Sequence, residues 1–354
     1  MQTLHIITPS HFTTSDEMFG LMRLAQKSMA GEHRTVVIGN QHEASALRQR
    51  GIRVLGSIDG ALDVSKTLTG RLQRILLSRN CNKNLTCLAW GWNAAAILST
   101  VSSPIDTFAF VDEVDDSCEY GKNELLIIPT GWSCSQKLAS LGIDTCSIAE
   151  PLLGVEPSSM VLDRKTVFDT LNISSTKQVI VIIGKRASWQ TILSVLFRMD
   201  TREEDFVFVL PAEYCYSSVL RSAVKQRGLL HRLLDLPVSL RTPDVLTVAT
   251  CAWAPEPASY DSSHSVLEIV AAAWCDTPVA ASVRHPISKI PCFGPQIAWY
   301  ESELDLSGWL FDAIENDTTL LQKSAEVTMS VRSIASPSRF IEGIQLRMST
   351  QSVM

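Results

Sequence analysis

Ser262-Ser263-His264-Ser265-Val266-Leu267-Glu268-Ile269-Val270-Ala271-Ala272-Ala273, running on to Asp276-Thr277-Pro278-Val279-Ala280-Ala281-Ser282, is the stretch whose reading decides the fold. A polar loop opens a helix of small apolar residues, with one acidic side chain, Glu268, in its first turn. A tight turn at Asp276–Pro278 then feeds a short apolar strand. Loop, helix and strand in that order form the connecting unit of an open α/β sheet. In such sheets ligands collect where the loop meets the helix N-terminus, because unpaired backbone N–H groups and the helix dipole converge there.

The rest of the chain repeats this unit. Strand-like runs stand at Leu4–Thr8, Thr35–Ile38, Arg53–Leu55, Thr86–Trp90, Thr107–Val111, Leu125–Ile128 and Ser147–Ala149 in the first half. In the second half they are Val179–Ile183, Phe206–Leu210, Leu246–Ala252 and Val279–Ser282. Continuous Val/Ile/Leu/Phe runs, rather than alternating ones, mark strands buried on both faces. Their alternation with helical stretches predicts right-handed crossovers, hence an α/β chain of two doubly wound parallel sheets. Thr14-Ser15-Asp16-Glu17 fits a capping box, Met18, Leu21, Met22, Ala25 and Met29 recur at helical spacing, and Gly31 supplies the stop. Turn residues at Gly154–Ser159 mark a boundary. The expected domains are 1–154 and 160–320, followed by a tail over 321–354. Helices are expected at Asp305–Ile314, Leu320–Ala335 and Ser338–Met348.

A length of 354 residues fits two domains of roughly 150 to 180 residues. With 45% apolar and 19% charged residues, the composition is that of a globular protein. A net charge of −6 and the lack of a basic stripe argue against nucleic-acid or anionic-membrane binding. The opening Met1–Ile7 reads as a strand rather than a signal peptide. No apolar run approaches the roughly 20 residues that span a bilayer. The expectation is a soluble, cytoplasmic protein without a transmembrane segment. Nine cysteines at irregular spacings, none in a Cys-x-x-Cys pair, predict reduced and mostly buried thiols. P-loop, Gly-x-Ser-x-Gly and His-Glu-x-x-His motifs do not occur.

The order of the remaining signals resembles the GT-B glycosyltransferases, especially the large retaining family 4. Ile127–Ile143 looks like the last strand–helix unit of that family's N-terminal domain, closing on Leu138-Ala139-Ser140-Leu141-Gly142-Ile143. Ser147–Glu156 is similar to its interdomain strand and Gly-Val-Asp linker. Val179–Gly184 with Lys185-Arg186 resembles the first strand of its donor domain. Glu268 with Ala271–Ser282 matches its Leu-Glu-Ala-x-Ala-x-Gly-x-Pro-Val-x-Ala-Ser segment, with Asp276 at the family's glycine. Asp305–Met348 is like its closing helices. The resemblance implies two Rossmann-like domains facing a cleft, with the C-terminal helices crossing back to the first domain. It implies transfer of a sugar from a nucleotide-sugar donor to a glycan or small-molecule acceptor, with neither metal nor separate cofactor. The second domain would hold the donor and the first the acceptor.

Carried over residue by residue, Glu268 would hold the donor ribose, although a glutamate three residues after Ser265 is also a capping residue. Ser262, Ser263 and His264 occupy the family's phosphate and sugar loop, and serines there are equally ordinary caps. Lys185 and Arg186 would face the diphosphate, or be solvated loop charges. On the acceptor side, Pro9–Ser15 replaces the family's glycine loop, with Thr13 and Thr14 in it and His11 as a candidate base. Asp112, at a strand end with Glu113, Asp115 and Asp116, is a second candidate or part of a solvated acidic loop. Trp92 is either an aromatic cleft wall or core filling. Four features depart from the family. The glycine loop is gone, the first glutamate falls on Tyr260 with Glu256 out of register, the second cation falls near Gln190, and the histidine falls near Phe110. An active transferase is therefore weighed against a catalytically degenerate relative that binds a nucleotide, glycan or partner, and against a small-molecule binder of the same architecture.

Overall fold

A computed structural model of the chain describes residues 2–8, 16–49, 51–58, 72, 85–101, 106–114, 120–121, 125–156, 162–184, 187–201, 205–211, 214, 216–237, 239–256, 266–284, 297–315 and 318–351. They divide into two compact units, 1–156 with 337–354, and 157–261 with 266–336.

The first unit runs β1 (Gln2–Ile7), α1 (Asp16–Ser28), β2 (Glu32–Ile38), α2 (Gln41–Gln49), β3 (Val54–Ile58), β4 (Leu85–Trp90), α3 (Trp92–Ser99), β5 (Asp106–Val111), β6 (Leu126–Pro129) and α4 (Trp132–Ser140). The second runs α5 (Arg164–Leu171), β7 (Gln178–Ile182), α6 (Trp189–Met199), β8 (Phe206–Leu210), α7 (Ser217–Gln226), β9 (Leu233–Asp235), α8 (Thr242–Leu246), β10 (Cys251–Ala254), α9 (Leu267–Trp274), β11 (Val279–Ser282), β12 (Ala298–Tyr300), α10 (Glu303–Ile314) and α11 (Thr318–Ile334). A last helix, α12 (Pro337–Gln351), belongs to the first unit.

The sheets read β3-β2-β1-β4-β5-β6 and β12-β11-β10-β7-β8-β9, and every pairing is parallel. In each, the first strand lies beside the fourth, which is the doubly wound order. Burial explains the pattern: every residue of β4 and β8 is buried, because helices cover both faces. Each sheet has its own core, around Leu4, Ile6, Leu88 and Phe108 in the first and Ile180, Phe208 and Trp253 in the second. The two sheets are the α/β architecture expected from the sequence.

Local departures have physical causes. Ser147–Ala149 is no strand: Asp144 accepts from Cys146 N at 3.0 Å, the turn at Thr145–Ser147 is 3₁₀, and one isolated bridge joins Ile148 to Ile127. The run Leu246–Ala252 splits, because Asp244 caps a short helix that ends at Leu246 and the strand starts only at Cys251. The strands β9 and β12, three residues each, are too short to leave a periodic signal. The tail also divides. Thr328 Oγ1 in α11 donates to Ala273 O of α9 at 2.7 Å in the second unit. In the first unit, Phe340 of α12 meets Phe110 of β5 edge-on, with ring centroids 5.3 Å apart. Pro337 opens α12, one residue before the expected start at Ser338, since a first-turn residue needs no N–H partner. Among the described cysteines Cys87, Cys134 and Cys251 are buried, and burial pushes the Cys87 thiol up to about 12. No helix among the described residues is long and apolar enough to cross a membrane.

Candidate functional site

In the second unit the order reverses between β7 and β10, so the carboxyl ends of those strands form the natural ligand edge. Ile183 N, just beyond β7, donates to Trp253 O at 2.7 Å and locks the two strand ends together. Gly184 follows with φ 108°, a conformation that excludes most side chains, and a Cβ built on it would meet nothing within 4 Å. Ser188 then caps α6, its Oγ accepting from Thr191 N at 3.4 Å.

Glu256, two residues beyond β10, ties this edge together. Its carbonyl accepts from Ser188 N at 2.9 Å, which fixes the mouth of α6 to the end of β10. Its carboxylate accepts from Ser282 Oγ, at the end of β11, at 2.8 Å. The Arg284 guanidinium stands 3.8 Å from the same oxygen, and the Glu256 side chain is 27% exposed. Tyr300 closes the floor: its hydroxyl accepts from Trp253 Nε1 at 3.0 Å, and burial, opposed by that bond and reinforced by the Glu256 charge, raises its pKa. Glu256 thus stands just beyond β10 at the carboxyl edge of the sheet, held by Ser188 and Ser282. Sequence spacing set it aside because it stands out of the family's register. Its bond to Ser282 spans 26 residues, and no local pattern carries that signal.

The expected residues fall differently. Glu268 lies in the first turn of α9 and is 6% exposed. The helix starts after Val266, which offers no side-chain cap, so Glu268 stands one position earlier than a capping box with Ser265 requires. Lys185, Arg186, Ser262, Ser263 and His264 lie outside the described residues, as do His11, Thr13 and Thr14.

In the first unit, Asp112 follows β5, is 1% exposed, and accepts from Thr130 Oγ1 at 3.4 Å. Asp112 itself is not solvated, and Asp115 and Asp116 lie outside the described residues. Trp92 must be corrected as a cleft wall: it is fully buried in α3, and its ring stacks on Tyr120 at 5.7 Å and 12°. Burial and that stack make it core filling.

A buried polar chain linking β1, β2 and β4 was not legible in the sequence. Trp90 Nε1, which can only donate, gives its hydrogen to His5 Nδ1 at 2.9 Å. His5 therefore carries its proton on Nε2 and donates it to His33 Nδ1 at 3.0 Å. His33 in turn donates from Nε2 to Met29 O at 2.9 Å. The chain is satisfied only when both rings are neutral. Burial first, and then the neighbouring His33, hold His5 down to about 3. Burial also lowers His33, against the Met29 bond that raises it and with Arg53 that lowers it further.

No protein-family model matches the chain, and no curated protein matches its sequence. Solved structures do. Anabaena HepE in complex with UDP-glucose is similar with a TM-score of 0.71 at 11% identity, over 98% of this chain and 99% of that one. A glycosyltransferase from Rickettsia africae scores 0.70 at 10% identity, over 99% and 98%. The fold is that of the GT-B glycosyltransferases. Sucrose-phosphate synthase from Thermosynechococcus elongatus has the same GT-B architecture, with a TM-score of 0.65 at 9% identity over the whole of both chains. At such identities the likeness establishes the GT-B fold and leaves the chemistry to the site.

Proposed function

We propose that this protein transfers a sugar from a nucleotide-diphosphate donor to a glycan or small-molecule acceptor. The observation that carries the reading is the end-to-end GT-B likeness to a protein holding UDP-glucose, over 98% of this chain. The motif order supports a place near retaining family 4. The donor binds in the second unit, roughly 160–320, along the edge that carries Gly184, the capped mouth of α6 and Glu256. Lys185, Arg186, Ser262, Ser263, His264 and Glu268 are its candidate donor groups. Cationic side chains and first-turn N–H groups, rather than a metal, offset the leaving diphosphate. The first unit takes the acceptor, with His11, Thr13, Thr14 and Asp112 as its candidate groups.

Thermal unfolding with UDP, ADP and GDP, and with their sugar conjugates, tests this. A matching nucleotide at one hundred times its Kd stabilises the protein by about 2.7 kcal/mol, a rise of several degrees. Release of free nucleotide from the matching donor, insensitive to chelators, then follows. If no nucleotide diphosphate or nucleotide sugar shifts the transition, the reading is wrong. Binding without turnover against any acceptor would instead mark a degenerate relative.

A further inference from the structure

We propose that the outer edge of the second sheet carries a binding site for a quaternary ammonium group. The inference is independent of the donor reading above. β12 ends its sheet, and no further described strand covers it. Between β12 and α10 lies a recess of about 370 Å³, a volume that suits a small molecule. Ala280, Ala298 and Gly308 make the space, because larger side chains there would close it. A Cβ on Gly308 would meet nothing within 4 Å.

The lining has one electrostatic sign. Trp299, Tyr300 and Trp309 bring aromatic rings, whose faces are the negative part of a quadrupole. The Tyr300 hydroxyl is used inside the unit, accepting from Trp253 Nε1 at 3.0 Å and donating to Ala254 O at 3.4 Å. Asp305 and Asp312 add two carboxylates, and no basic residue lines the recess among the described residues. Asp305, Gly308, Trp309 and Asp312 recur at the spacing that puts them on one face of α10. Asp305 is held in place, its Oδ2 accepting from Ser302 N at 3.2 Å and from Ser302 Oγ at 2.7 Å. Those bonds leave its charge uncompensated, and neither aspartate forms an ion pair among the described residues.

Such a lining selects its occupant by charge and hydration. An anion is repelled. A metal ion needs several oxygens converging on one point, yet the two aspartates stand about 10 Å apart along the helix axis. No group of described side chains could hold a metal. A compact ammonium is strongly hydrated, and aromatic rings replace its water poorly. An alkylated ammonium keeps the charge while presenting methyl groups to the rings and to the small residues between them.

Calorimetric titration of choline and tetramethylammonium into the full chain tests the idea. Two neutral probes run beside them: glucose, and the carbon isostere of choline, which has a tert-butyl group in place of trimethylammonium. The wild type is expected to bind both cations, to bind the isostere at least tenfold more weakly than choline, and not to bind glucose. Gly308→Leu fills the recess. It is expected to melt no lower than the wild type, because leucine outranks glycine in a helix, and to lose choline. Asp312→Asn, a change at an exposed residue, is expected to weaken choline severalfold and serves where the leucine disturbs the fold. Choline binding unchanged in both variants overturns the proposal. So does an isostere that binds as tightly as choline, or glucose that binds in its place. A wild type that binds neither cation overturns it as well.

Discussion

Acidification should destabilise the first unit through His5, and the size of the effect follows from the buried chain. His5 is held at about 3 in the folded protein, against an ordinary value near 6.5. The folded pKa is the lower of the two, so the stabilisation is present in full above 6.5. It is lost as the pH falls, because the unfolded chain takes up a proton that the folded chain refuses. Each pH unit between the two values removes about 1.4 kcal/mol, so lowering the pH from 6.5 to 5 removes about 2 kcal/mol. His33, also lowered, acts in the same direction. The control is His5→Gln, whose amide can accept from Trp90 and donate to His33 without titrating. Urea denaturation of both proteins at pH 7.5, 6 and 5 gives the comparison. The difference in stability between wild type and variant should shrink by about 2 kcal/mol between pH 7.5 and 5. Parallel pH profiles, or an NMR titration of His5 near 6.5, would refute the buried neutral chain.

Three further outcomes are expected. A Cβ on Gly154 would stand 2.5 Å from Cδ2 of the fully buried Phe340, so Gly154→Ala should lower stability by about 1–3 kcal/mol. Gly308→Ala, in α10 with nothing within 4 Å, should raise it by about 0.5–1 kcal/mol, and thermal melts separate the two. Arg23 meets Glu156 through Nε, 3.2 Å from each carboxylate oxygen, and through Nη2, with side chains only 9% and 14% exposed. Arg23→Met alone should destabilise by about 3 kcal/mol by stranding a buried carboxylate, and adding Glu156→Leu should restore most of it, as read by urea midpoints. Asp276 holds φ 59° at the end of α9, and its ion pair to Arg332 is half-exposed. Asp276→Gly should therefore be neutral or stabilising by up to about 1 kcal/mol, whereas Asp276→Val should melt several degrees lower.

The sheets were legible because their strands are continuous apolar runs, and a run such as Phe206–Leu210 needs no distant information to declare itself. The helix over Leu267–Trp274 was legible for a similar reason, its small residues and single glutamate standing in one local pattern. The site was less so. Trp92 ends a strand–glycine step that would suit a cleft, yet Tyr120 covers it, a contact between residues far apart in the chain. Glu256 sits between two prolines and out of register, and only its partners Ser282 and Arg284 distinguish it. The three-residue strands β9 and β12 form because neighbouring strands offer them partners, not because their own residues demand it.

Local periodicity and turn chemistry alone were enough to specify an α/β chain of two doubly wound sheets, because burial on both faces writes itself into consecutive residues. Tertiary structure alone decided which polar groups meet: His5 with His33 and Trp90, Arg23 with Glu156, and Glu256 with Ser282. Those pairings depend on strand register and crossover geometry, which bring together side chains between 26 and 133 residues apart. A hydrogen bond leaves no periodic trace in the segments that contribute its two ends.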